Sequence, residues 1–173
     1  MKKPAPHDPI DILGEAYEKM YERSAKNLHQ AKDKSSQIFH GFINQAKEKA
    51  VELEELTEED AAKVASWLKR DMNDFIDYLV EGENEIKDWL GFETNLLENV
   101  FLDLMLQTAD KTTIELLALK KKAKQANTYH TGEVTGPGTL VCEQCGEVLH
   151  FHKAGKIPPC AKCHATTYQR KSR

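Results

Sequence analysis

From Asp11 onward, Leu13, Tyr17, Met20, Tyr21 and Leu28 recur mostly at helical spacings, with Lys, Glu, Gln and Asn filling most of the positions between them. That pattern predicts one apolar stripe on a helix with a solvated opposite face. After the polar break Asp33-Lys34-Ser35-Ser36 a second stripe runs through Ile38 or Phe39, Phe42, Ala46, Ala50 and Leu53. Thr57 then stands ahead of Glu58, Glu59 and Asp60. Its hydroxyl can cap free N–H groups, and acids in the first turn suit the positive end of the helix dipole. The helix it opens carries Val64, Trp67, Leu68, Met72, Phe75, Ile76, Leu79 and Ile86, and the pattern predicts that it reaches Leu90, before Gly91. That is about 30 residues, longer than a typical globular helix. Such a helix after another amphipathic one predicts an antiparallel hairpin or coiled coil, with homodimerisation through the helices as a further expectation.

Two shorter helices are expected next. One holds Leu96, Leu97, Val100, Phe101 and Leu104; the other is entered through Asp110-Lys111-Thr112 and holds Ile114, Leu117 and Ala118. Lys120, Lys121, Lys122 and Lys124 close it, where cations favour the negative end of the dipole. Ahead of all the helices, residues 1–9 with Pro4, Pro6 and Pro9 read as a frayed leader.

The pattern changes at Asn127. Gly132, Gly136, Pro137 and Gly138 come close together, and short β-branched stretches replace helical periods. A boundary here divides a helical domain, residues 1–127, from a small β-rich domain, residues 128–173.

Charge sharpens that division. Residues 128–173 hold six Lys/Arg against three Asp/Glu, which leaves 18 against 25 for residues 1–127, so the overall charge of −4 joins a basic end to an acidic body. With 40% hydrophobic and 30% charged residues, the chain reads as folded, with solvated helix faces. The N-terminus lacks the apolar stretch of a secretory signal, and no run approaches the roughly 20 apolar residues that span a bilayer. The expectation is a cytoplasmic protein with no membrane partner.

In that compartment thiols stay reduced, so paired cysteines point to metal or redox chemistry and away from a disulfide framework. All four cysteines form two CxxC pairs, Cys142-Glu143-Gln144-Cys145 and Cys160-Ala161-Lys162-Cys163, separated by 14 residues. A hairpin spans that gap. Two intervening residues let a tight turn aim both sulfurs at one point, about 2.3 Å from a zinc ion, and two such knuckles complete a closed tetrahedron. The expected ligands are therefore Cys142, Cys145, Cys160 and Cys163, holding one structural Zn²⁺. A closed shell cannot easily activate water. The 46 residues from Thr128 contain too few large apolar side chains for a self-sufficient core, so metal binding, on the order of 10–16 kcal/mol in small peptides, is expected to hold the segment folded. The fold class is then mainly α, with long amphipathic helices in a hairpin or bundle followed by a C-terminal β zinc ribbon.

Gly146 follows the first pair where positive φ lets backbone N–H groups turn back toward sulfur, and His164 holds the matching place after the second. Histidine tolerates that conformation less well than glycine although it is among the residues enriched there, so the substitution is expected to weaken the knuckle without abolishing it, and a fifth-ligand role is not expected. His150 and His152 fall two apart on the second hairpin strand, sharing one face, and His130 could approach them. Without a fixed acidic or cysteine partner they read as strand histidines and not as a second metal site. Asp71, Asp74, Asp77, Glu83 and Glu85 read as an outer helix face. No Glu-x-x-His pair, phosphate-cradling GxxxxGK[ST] or serine-histidine-acid pattern is present, so no enzyme activity is expected.

Tyr129-His130-Thr131-Gly132-Glu133-Val134, Gly136, Gly138, Leu140-Val141-Cys142-Glu143-Gln144-Cys145, Cys160-Ala161-Lys162-Cys163 and Gln169-Arg170 together resemble the YbeL-like zinc-ribbon family of uncharacterised bacterial proteins. The resemblance extends over most of the chain, including the Thr57-Glu58 start and the Asp110-Lys111-Thr112 segment. It implies a helical N-terminal region, a C-terminal zinc ribbon and a cytosolic bacterial protein, with no activity to carry over. His164 and Ala161 depart from the family's second knuckle, which resembles Cys-Pro-x-Cys-Gly.

Three functions follow as expectations. The first is an interaction or adaptor protein whose helices meet a protein partner. The second is nucleic-acid or ribosome binding through Lys153, Lys156, Arg170, Lys171 and Arg173. Its charge is thin, because four thiolates and one Zn²⁺ reduce the ribbon's +3 to about +1. The third is a rubredoxin-like redox carrier with iron in the same sulfur shell, or a thiol-disulfide CxxC, which the missing βαβ pattern disfavours.

Overall fold

The computed structural model describes residues 9–81, 86–92, 99–118 and 127–171. The expectations for residues 1–8, Glu83, Glu85, Leu96, Leu97, the lysines at 120–124 and Arg173 lie outside them.

Helix α1 (Pro9–Gln30) starts two residues before the expected point. Proline suits a first helical position, where its missing N–H is not needed. The chain turns back through residues 31–35 into α2 (Ser36–Glu52), capped by Ser35, whose hydroxyl accepts the Ile38 N–H at 3.2 Å. Phe39, Ile43, Ala46 and Ala50 form its buried stripe. Leu53, expected in that stripe, is 48% exposed. It is the C-cap, and the chain leaves the helical path at Glu54 (φ 56°). There Glu54 N–H donates to Val51 O and Glu55 N–H to Ala50 O, a Schellman motif that closes the helix one turn too early for Leu53.

Thr57 caps α3 (Glu58–Val80) through the Asp60 N–H at 3.2 Å. Ala61, Val64, Ala65, Leu68, Met72, Phe75 and Ile76 are buried along it. The single helix expected to reach Leu90 ends at Val80 instead. Residues 81–85, Glu-Gly-Glu-Asn-Glu, have no apolar residue to continue the stripe, and Gly82 and Asn84 favour helix weakly. After the undescribed residues 82–85, α4 (Ile86–Leu90) turns Trp89 against Phe75 and Tyr78, with ring centroids 5.5 and 5.6 Å apart. Helices α5 (Asn99–Thr108) and α6 (Lys111–Ala118) pack against α1 and α3 respectively, and Asp110 accepts the Thr113 N–H at the start of α6. No helix among the described residues is long and apolar enough to cross a membrane.

The strands begin where the composition changes. β1 (Thr128–His130), β6 (Thr167–Arg170), β3 (Gly138–Cys142) and β4 (Val148–Phe151) form an antiparallel sheet in that order, while β2 (Val134–Thr135) pairs with β5 (Gly155–Lys156). In the register Leu140 faces Leu149 and Cys142 faces Tyr168. A small core of Tyr129, Leu140, Cys142, Phe151, Ile157, Cys160 and Tyr168 lies within the sheet region. Val134 and Ala154, although they belong to the β segment, are buried in the helical core with Tyr17, Leu68 and Phe75. The ribbon is thus seated on α1, α3 and α4.

Candidate metal centre

The two CxxC turns have the same backbone. In the first, Gly146 N–H donates to Cys142 O at 3.0 Å and Cys142 N–H to Glu147 O at 2.8 Å; in the second, His164 N–H donates to Cys160 O and Cys160 N–H to Ala165 O, both at 2.9 Å. Gly146 (φ 73°) and His164 (φ 60°) occupy the same left-handed position. Histidine at this place therefore keeps the knuckle intact. Backbone N–H groups also reach the sulfurs: Glu147 donates to Cys145, Cys163 and Lys162 to Cys160, and Ala165 to Cys163.

The four sulfurs lie within 4.8 Å of one another. Cys142 Sγ and Cys163 Sγ are 3.6 Å apart, and Cys145 Sγ and Cys160 Sγ are 3.5 Å apart, far beyond the roughly 2.05 Å of a disulfide. The edge of a tetrahedron with Zn–S bonds of about 2.3 Å is about 3.8 Å, so the sulfur positions fit one ion. The Cys163 N–H leads the effects that bring the Cys160 thiol down to about 7. Cys145 is pushed up to about 12, because burial and its sulfur neighbours outweigh the N–H of Glu147. Thiolates packed this closely repel one another unless a cation lies between them.

The other candidates separate. No His, Asp or Glu joins this sulfur cluster among the described residues. His164 is exposed and contributes its backbone. His150 and His152 are exposed and share the Phe92 ring, at centroid distances of 6.2 and 4.3 Å, while Thr139 Oγ1 lies 2.8 Å from His150 Nδ1. His130 is on β1, at the opposite edge of the sheet from β4, beside Glu133. Lys153, Lys156 and Lys171 are exposed.

Two expectations are corrected. Arg170 is not a surface cation: its side chain is 6% exposed and lies over the rings of Trp89 and Tyr129. Asp71 and Asp74 are not an outer helix face. Asp71 is 2% exposed, and its Oδ2 accepts from Tyr17 Oη at 2.7 Å, Gly136 N–H at 2.8 Å and Thr135 Oγ1 at 2.9 Å, with Arg170 Nη2 at 3.6 Å. Asp74 accepts from Asn127 Nδ2 at 2.6 Å and from the Tyr129 hydroxyl. A sequence signal for Asp71 exists. Val64, Leu68, Asp71 and Phe75 follow at spacings of four, three and four, which puts the carboxylate in the middle of the buried stripe.

Residues 26–172 match a family described as a zinc-ribbon containing domain. The chain is 28% identical over 130 residues to "Uncharacterized protein YbeL" of Escherichia coli strain K12, covering 75% of this chain and 80% of the relative, and the same values hold for its counterpart in Escherichia coli O157:H7. No solved structure matches the chain.

Proposed function

Because the chain belongs to the zinc-ribbon family that spans its residues 26–172, we propose that Cys142, Cys145, Cys160 and Cys163 hold one structural zinc ion in a non-catalytic interaction module. The observation that carries this reading is the convergence of four sulfurs, and of no other ligand type among the described residues, between two matching knuckles. Zinc bound there supplies a cross-link between the β3–β4 turn and the segment leading into β6, and leaves no open position for substrate or water. What remains for function is surface. The helical body and the ribbon together present that surface to a protein partner, and burial of Arg170 removes one of the five cations that would have served a nucleic acid.

Elemental analysis of the purified protein is expected to give one zinc per chain and no iron, in a colourless solution. Affinity capture with the zinc-loaded protein, repeated with a chelator, is expected to recover a partner in a metal-dependent way. A coloured iron protein would replace this reading with an electron carrier, and a strictly monomeric protein that captures no partner would remove the interaction role.

A further inference from the structure

Helix α3 contributes no cysteine, yet its buried charges are satisfied largely by the ribbon, with Tyr17 of α1 adding one hydroxyl. Asp74 takes the hydrogen bonds described above from Asn127 and Tyr129, and Asp71 takes three of its contacts from Thr135, Gly136 and Arg170. Arg70, whose Nε lies 3.0 Å from Asp71 Oδ1, reaches outward to Glu133 and to Val134 O, and its guanidinium lies 3.9 Å from the Tyr129 ring centroid. A carboxylate pair and two guanidiniums are thus enclosed between the body and the ribbon.

We infer that zinc occupancy is coupled to the packing of α1 and α3 through this Asp71–Asp74–Arg70–Arg170 cluster, so that losing the metal releases a clamp on the helical body. The inference rests on the zinc reading above. Strand β6 is the physical link. Tyr168 and Arg170 are two apart on it and so share a face. Tyr168 packs in the small core with Cys142 and Cys160, and Arg170 Nη2 donates to Thr135 Oγ1 at 2.7 Å within the cluster. Tyr129 bridges in the same way, packing in the small core and donating to Asp74.

That small core has seven residues, of which two are cysteines of the metal centre, and so little burial does not hold a sheet in place. When β6 loosens, Asp71 loses the Arg170 cation and Asp74 the Tyr129 hydroxyl on the paired strand β1, where an unpaired carboxylate is costly, and the surrounding helix has to open to hydrate them. Arg170 has little room to adjust. Its Nη1 is buried without an acceptor among the described residues, and a Cβ at Gly138 (φ 146°) would fall 2.6 Å from that atom. Coupling of this kind is reciprocal, so weakening the cluster must weaken metal binding by the same factor that metal strengthens the cluster.

The test uses the full chain, with Zn²⁺ affinity read by competition against a chromophoric chelator and helix opening read by hydrogen exchange. Asp71→Asn is expected to weaken zinc by about tenfold although it touches no ligand. Thr135→Val, which removes one hydroxyl bonded to both Asp71 and Arg170, is expected to weaken it less and serves if Asp71→Asn fails to fold. Chelation of the wild-type protein is expected to speed exchange in α3 around residues 70–76 and in α1 around Tyr17, and to leave α2 around Ile43 unchanged. Wild-type zinc affinity in a folded variant, or unchanged exchange in α3 after chelation, overturns the coupling alone. A protein that binds no zinc overturns the metal reading and the coupling with it.

Discussion

Gly146→Ala isolates what the knuckle backbone demands. Gly146 has φ 73°, and a Cβ built there meets nothing within 4 Å, so the substitution adds no clash. Only conformation changes. A left-handed L-residue costs roughly 1–2 kcal/mol, and alanine returns about 0.4–1 kcal/mol by restricting the unfolded chain. The net loss is about 1 kcal/mol, which corresponds to roughly fivefold weaker zinc where folding of the ribbon and binding are one event. His164→Gly makes the opposite change at the matching position and is expected to leave zinc affinity equal or slightly tighter, since the relief of strain and the added chain entropy nearly cancel. Chelator competition on both variants and the wild type measures the two shifts side by side. Unchanged affinity in Gly146→Ala, abolition of the site by it, or marked weakening by His164→Gly would each refute the claim that the two positions play one backbone role.

Excess chelator under reducing conditions is expected to remove hydrogen-exchange protection from β3 and β6, because the sheet holds too small a core to stand alone. Phe75→Ala, at a fully buried position against Trp89, should cost about 3–5 kcal/mol in denaturant unfolding, and a loss under 1 kcal/mol would deny it a central place. Two carboxylates should respond to pH with opposite signs. The bidentate hydrogen bonds from Arg23 hold Glu55 below the usual range, so its contribution, under about 1 kcal/mol for a partly exposed pair, is present above the ordinary carboxylate pKa and is lost as pH falls through the lowered one; Glu55→Gln should remove that part of the acid dependence. Burial raises Asp74, against the hydrogen bonds from Tyr129 and Asn127, so its stabilisation is fullest in acid and declines as pH rises from the ordinary value through the raised one. The stability deficit of Asp74→Asn should therefore be larger at about pH 4 than at pH 7, read by urea unfolding at each pH.

Periodicity made the helical stripes legible because burial repeats along a single element. Tyr17, Met20, Leu68, Met72 and Phe75 needed no partner to be named as core, and they are buried as the spacing implies. Caps were legible for the same reason: Thr57 and Asp60 are three residues apart, so the bond that starts α3 is local. The cysteines were legible because CxxC spacing fixes how two sulfurs can point before any tertiary structure is considered. Leu53 and the end of α3 show where local reasoning weakens. An apolar residue continues a stripe only while the backbone stays helical, which Glu54 interrupts after α2 and which α3 does only as far as Val80.

The buried charges failed to show for a different reason, since each looks like surface until its partner arrives from far along the chain. Asp71 meets Thr135 and Gly136, 64 and 65 residues later, and Arg170 reaches Tyr129 across 41 residues. Composition can say that the body is acidic and the ribbon basic, but it cannot say that one charge from each is paired inside. That pairing changes what the division of charge means. Asp71 and Arg170 belong to opposite signs of that division, and they meet between the helices and the ribbon, where few other charges could be tolerated. A carboxylate in the middle of an apolar stripe is therefore a useful sign in itself: it predicts a distant donor set, and here that set is supplied by the segment that carries the cysteines.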